Sequence, residues 1–117
     1  MKILLNKEAE SKFETHLDTG AAFKIRAVSP ARYDEIRRKS LRSNGDLDLA
    51  KWGANFAAVA IMEWEGVGDD NNEAECNEAN RRLFGEKQAL NIMPWIIERS
   101  MSLDKYRVEE DEAAKKD

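Results

Sequence analysis

The segment from Asp48 to Trp64 restricts most strongly what this chain can become. Leu49, Trp52, Phe56 and Val59 recur at intervals of three and four, and Ala54, Ala57, Ala58, Ile61 and Met62 widen the apolar sector to most of a helical circumference. Only Lys51, Asn55 and Glu63 interrupt it. A helix of about 17 residues, about 25 Å long, apolar nearly all round, cannot lie on a surface. Its alanines let neighbours approach closely. It is predicted to be the central core helix on which the remaining elements pack.

Those elements can be read on either side of it. From Ser11 to Ser29 the pattern has period two: Phe13, Thr15 and Leu17 alternate with Lys12, Glu14, His16 and Asp18, and Phe23, Ile25 and Ala27 alternate with Lys24, Arg26 and Val28. Asp18-Thr19-Gly20 between them marks a turn, which predicts a β-hairpin. Two strands are marginal alone, so the apolar face of the hairpin must pack on helices. Ser29 is placed to cap a helix from Pro30 to about Ser43, with Tyr33, Ile36 and Ser40 on one stripe and Arg32, Arg37, Arg38, Lys39 and Arg42 on the other faces. Asp46 or Asp48 opens the core helix, Gly66-Val67-Gly68 ends it, and Asp69 to Cys76 reads as a loop. A third helix is expected from Asn77 to Leu90, with Ala79, Leu83, Phe84 and Leu90 apolar and Gly85 a weak point. In a fourth, capped by Asn91, Pro94 falls in the first turn and Trp95, Ile96, Ile97, Met101 and Leu103 supply the buried side, with Tyr106 near its end. The expected fold is α+β and mostly helical, an N-terminal β-hairpin packed on about four α-helices. One domain spans residues 1–107, and a charged, flexible tail follows at 108–117.

Composition narrows the class of function. In 117 residues there is no run of 18 apolar positions to span a membrane, and Met1 to Leu5 is too short for a signal peptide. The single cysteine, Cys76, forms no internal disulfide and builds no zinc site by itself, so an intracellular location is the default expectation. A net charge of −4 argues against bulk nucleic-acid binding. That charge is polarised. Residues 1–49 hold ten Lys/Arg against eight Asp/Glu, and residues 50–117 hold nine against fifteen. Seven acids and no base lie between Glu63 and Glu78, and a second acidic run, Glu109 to Glu112, lies near the end. Two readings are open: a solvated loop and terminus that keep the chain soluble, or a surface that steers a basic partner.

Little in the sequence carries catalytic chemistry. His16 is the one histidine, on the polar side of a strand with no nucleophile placed near it by motif. Cys76 sits among acids, which favour the unreactive thiol. Asp69-Asp70-Asn71-Asn72-Glu73 invites a calcium reading, but counting from Asp69 the sixth and twelfth positions are Ala74 and Asn80, where an EF-hand loop needs glycine and glutamate. No phosphate-binding glycine loop or nucleophile elbow occurs. The expectation is a protein that binds, with no catalytic residues, cofactor or metal. Trp52 and Trp95 fall at core spacing, whereas Trp64 lies between two glutamates at a helix end. The partner-binding candidates are Trp64, the acids Asp69, Asp70, Glu73 and Glu75, and the basic pair Arg37 and Arg38.

Three stretches in order carry a resemblance. They are Phe23 to Tyr33, a strand entering a capped basic helix; Ala58 to Asp69, with the step Trp64-Glu65-Gly66-Val67 before an acidic loop; and Asn80 to Lys87 followed by Met93 to Glu98. Together they resemble the tail assembly chaperones of long-tailed bacteriophages and prophages, over most of residues 11–103. The resemblance implies a small, mostly helical α+β fold in the host bacterial cytoplasm, without catalysis. It implies that the partners are the tape-measure protein, kept soluble, and the tail-tube protein, helped to polymerise around it. It implies departure before the virion is complete, and in many such phages a longer frameshifted product extending beyond a tail such as Glu109 to Asp117. Met62, Met93 and Met101 would suit contact with amphipathic helices. A homo-oligomer formed head to tail, basic helix against acidic loop, is a further expectation. The alternative is a virion component that stays in the particle, such as a minor tail or head–tail joining protein.

Overall fold

The computed structural model describes residues 10–104. The opening apolar run, Tyr106, the domain end at 107 and the tail at 108–117 lie outside them. The hairpin is present as β1 (Glu10–Thr15) and β2 (Ala22–Arg26), antiparallel, with Gly20 at φ 77° in the turn. Helix α1 (Pro30–Lys39) begins at Ser29, whose Oγ accepts from the Arg32 N–H at 3.2 Å. It is shorter than expected. The Ser40 hydroxyl donates to the Ile36 carbonyl at 2.7 Å and accepts from Asn55 at 3.0 Å, which fixes the end of α1 against the next helix.

Helix α2 (Leu49–Ala60) is capped by Asp48, not Asp46, and it buries Trp52, Gly53, Phe56, Ala57 and Ala60. It stops four residues short of Trp64. Ile61 is already extended, at φ −87° and ψ 125°, and Ile61–Glu65 forms β3, antiparallel to β2. The sheet therefore has three strands in the order β1-β2-β3, with β2 central. The expectation of a helix through Trp64 fails for an identifiable reason. Ile25 faces Ile61 and Lys24 faces Glu63, so Met62 is an extra residue in β3, a β-bulge. The bulge puts Ile61 and Trp64, three apart, on the same buried face. Three-residue spacing in a strand then looks like helical periodicity.

Beyond β3 the expected acidic loop is a small ribbon, β4 (Gly68–Asp69) paired with β5 (Asn72–Glu73). Helix α3 (Glu78–Lys87) is capped by Asn77 at 2.8 Å. Helix α4 (Met93–Asp104) starts after Ile92, whose carbonyl takes the Trp95 and Ile96 N–H groups, so Asn91 stands one residue outside the cap.

One face of the sheet is covered by helices. Phe23 and Ile25 of β2 are fully buried with Phe56, Ala57 and Ala60 of α2 and Met93 and Ile96 of α4. Phe84 of α3 lies 5.4 Å from Phe23 and 5.6 Å from Trp64, between ring centroids. A second aromatic group, Tyr33, Trp52 and Phe56, joins α1 to α2. The closest contact is between α2 and α3. A Cβ on Gly53 would stand 2.1 Å from the Gly85 carbonyl oxygen, and one on Gly85 would stand 2.1 Å from that of Gly53. Gly85 is thus the point at which two backbones touch, not a weak position in its helix. Among the described residues, no helix is long and apolar enough to cross a membrane.

Candidate functional site: a hollow beside the hairpin and the charged faces

Two groups of surface residues emerge from this fold. The first is the set expected from the sequence. The indole of Trp64 is 5% exposed, and its Nε1 donates to the Ala74 carbonyl at 2.8 Å. Trp64 therefore anchors the acidic ribbon to the core from beneath and offers no surface to a partner. The acids above it are exposed, but two of them have local duties. Glu73 accepts from the Gly66 N–H at 2.5 Å, and Glu75 accepts from the Asn77 side chain at 3.0 Å. Asp69 and Asp70 lie at the ribbon tip in the solvent. Glu63 is drawn away onto the open sheet face, 3.5 Å from Lys24. On α1, Arg37 and Arg38 both pair with Asp34 of their own helix, at 3.4 and 3.1 Å. The last turn of α1 holds Arg37, Arg38 and Lys39, where the helix dipole favours cations. The structure thus keeps an exposed acidic ribbon and an exposed basic helix end as separate features.

The second group was not anticipated. In β1 the side chains lie the other way round from the sequence expectation. Glu14 pairs across with Phe23 and so shares the helix-covered face, whereas Phe13 pairs with Lys24 on the open face and is 43% exposed. Leu17, at the hairpin turn, is 92% exposed. On the covered side, Arg99 of α4 donates to Glu14 Oε1 through Nε at 2.8 Å and Nη2 at 2.6 Å, while Glu14 Oε2 is buried without a hydrogen-bond partner. The His16 ring meets Trp95 edge-on, with centroids 5.2 Å apart, and pairs through Nδ1 with Thr19 at 3.0 Å. Between the hairpin end and α4 an open hollow of about 700 Å³ is lined by Glu14, Thr15, His16, Leu17, Trp95 and Arg99.

Helices contribute further exposed apolar groups: Leu49 on α2, Leu83 on α3, Leu90 just beyond it and Met101 on α4. Leu83, Leu90 and Met101 were expected inside. Because Gly85 faces α2, Leu83 lies about 200° round the helix from that contact. Met93 is wholly buried and Met62 half-buried, which leaves Met101 as the exposed one of the three methionines considered for partner contact. In the place expected for Met101, Ser100 is buried and donates to the Arg26 carbonyl at 2.6 Å.

The chain matches no family model, no curated protein and no solved structure. Cys76 is half-buried, and its thiol points to the Met62 carbonyl at 3.6 Å. Burial raises its pKa, opposed by a hydrogen bond and charge from Arg81, so the thiol stays protonated at neutral pH. Among the described residues, no three His, Cys, Asp or Glu side chains converge as metal ligands do.

Proposed function

We propose that this protein is a phage or prophage tail assembly chaperone that acts by binding, without catalysis, in the host bacterial cytoplasm. Its partners are the tape-measure protein and the tail-tube protein. The observation that carries the reading is the exposure of Leu49, Leu83 and Leu90, 45, 52 and 72% accessible, on and beside the tightly crossed α2–α3 pair. Large apolar side chains left open on two closely packed helices suit contact with an amphipathic helix that needs its apolar stripe covered. The three stretches that carry the family resemblance also map to β2–α1, α2–β3 with the ribbon, and α3–α4, which are continuous supersecondary units. The separate acidic ribbon and basic α1 end supply orientation for charged partners.

Co-expression tests this reading. The chain should keep the tape-measure protein of the same genome soluble, and Leu83→Glu with Leu90→Glu should abolish that effect while the variant still folds. Mass spectrometry of purified particles decides between this reading and a resident minor tail or head–tail joining protein: a chaperone is absent from finished particles. A tape-measure protein that stays insoluble whichever form is co-expressed overturns the proposal.

A further inference from the structure

We infer that the hollow between the hairpin turn and α4 is a receptor for a basic side chain, lysine or arginine, carried by a protein partner. It does not depend on the leucines of α2 and α3, and it adds a charged contact to an apolar one. Three parts make the site within about 700 Å³: an aromatic wall, a free carboxylate and an apolar rim. Trp95 is the wall. It is half-buried and held from two sides, with the Phe23 ring centroid 6.1 Å away and the His16 centroid 5.2 Å away. His16 is fixed in turn by Thr19, whose Oγ1 lies 3.0 Å from Nδ1 and also accepts from the Ala21 N–H at 3.3 Å. The wall therefore stands in place before a ligand arrives, which spares the cost of ordering it.

The charges of the lining decide the sign of the ligand. Arg99 is the one lysine or arginine in it, and its Nε and Nη2 are both committed to Glu14 Oε1, at 2.8 and 2.6 Å. That pair cancels. Asp18 is exposed at the turn, and among the described residues its carboxylate has no hydrogen bond or ion pair, so one negative charge is left over. An anion entering the hollow meets Asp18 and a guanidinium already in use. A wholly apolar ligand strips water from Asp18 and returns nothing. A cation gains twice, from the Asp18 charge and from the indole, the best aromatic partner for a cation. Its stem has a place as well. Leu17 stands 92% exposed at the rim, and the methylenes of lysine or arginine cover such a surface while the head stays on a carboxylate. The hollow is larger than one side chain and leaves room for the backbone that carries it. The net charge of −4 draws such a partner in.

Nuclear magnetic resonance of the full chain tests the site. The indole N–H signals of Trp52, Trp64 and Trp95 are followed as N-acetyl-lysine amide or N-acetyl-arginine amide is added. The uncharged norleucine amide and the acidic glutamate amide are the controls, and the signal lost in Trp95→Phe is that of Trp95. This signal should shift and saturate with the two basic amides, at a dissociation constant of about 1 mM, while those of Trp52 and Trp64 stay in place. Asp18→Asn, at an exposed turn position, should raise that constant about threefold, with unchanged Trp52 and Trp64 signals as the mark of an intact fold. Added salt should weaken binding to the parent chain. The inference is overturned by a Trp95 signal that never moves, that moves as far with the norleucine or glutamate amide, or that ignores Asp18→Asn. A response to spermidine with none to the basic amides also overturns it, because the hollow is then a site for a free polyamine.

Discussion

Trp64 ties the sheet, α3 and the acidic ribbon together. It is opposite Phe23 in the sheet, 5.6 Å from the Phe84 ring, and hydrogen-bonded to the Ala74 carbonyl. Trp64→Phe keeps most of the packing but leaves that carbonyl unpaired, at a cost of about 1–2 kcal/mol. Trp64→Ala empties the site and should cost about 3–5 kcal/mol. Urea denaturation of the three proteins measures both values. A step from parent to Phe as large as that from Phe to Ala would mean that the hydrogen bond, not the packing, dominates. Cys76 makes a prediction in pH. Its folded-state pKa is raised by burial, so its contribution is complete below the ordinary thiol pKa and is lost as pH rises through the folded value. The stability advantage of the parent over Cys76→Ala should therefore shrink above about pH 8.5. Over the same range the folded chain should react with a thiol reagent more slowly than the urea-unfolded chain.

At the level of elements, the crossing of α2 and α3 is decisive. Gly53 and Gly85 each have the other's carbonyl where a Cβ would sit, with Ala57 and Ala89 close by. Gly→Ala in an ordinary helix gains about 1 kcal/mol in propensity. Here the two backbones must separate, and overpacking of this kind costs about 1–3 kcal/mol. Gly53→Ala and Gly85→Ala should both be destabilising, and their effects should be less than additive in a double variant, because the first substitution already forces the helices apart. If either variant is more stable than the parent in thermal unfolding, the contact is looser than described. The same elements show what the sequence discloses. The hairpin, the cap at Ser29 and the choice between Asp46 and Asp48 were legible because turn and capping chemistry are local. The third strand was hidden because its bulge mimics helical spacing. Period two in β1 marks two faces but does not say which one meets the helices; the Glu14–Arg99 pair, 85 positions apart, decides that. The exposure of Leu83 and Leu90 was equally illegible, since it depends on which side of α3 Gly85 must present.

Across the whole molecule, α4 is the strap that closes the hairpin onto the helices. Arg99 holds Glu14 of β1, Ser100 holds the Arg26 carbonyl of β2, and Trp95 meets both Phe23 and His16. The Arg99–Glu14 pair is about a third exposed, so solvent screens it. A double-mutant cycle with Arg99→Gln and Glu14→Gln should give a coupling of about 1 kcal/mol at low salt, falling as ionic strength rises. A coupling that ignores salt would place the pair deeper than its exposure allows. The polarised charge noted in the sequence survives in three dimensions as the acidic ribbon and the basic end of α1, each kept solvated by partners of its own segment.

The join between α2 and β3 has a consequence for how the length of this chain can vary. Ala60 is the last helical residue and Ile61 the first of the strand, with nothing between them. A residue added there has no loop to absorb it. It turns Ile61 and Trp64 onto the open face and leaves Phe23 and Phe84 without their neighbour. The ribbon turn at Asp70-Asn71 is the opposite case: solvent surrounds it, and only the short β4–β5 ladder depends on it. Epitope tags, reporter peptides and natural insertions should be accepted at Asp70-Asn71 and rejected after Ala60, ten residues earlier in the same chain.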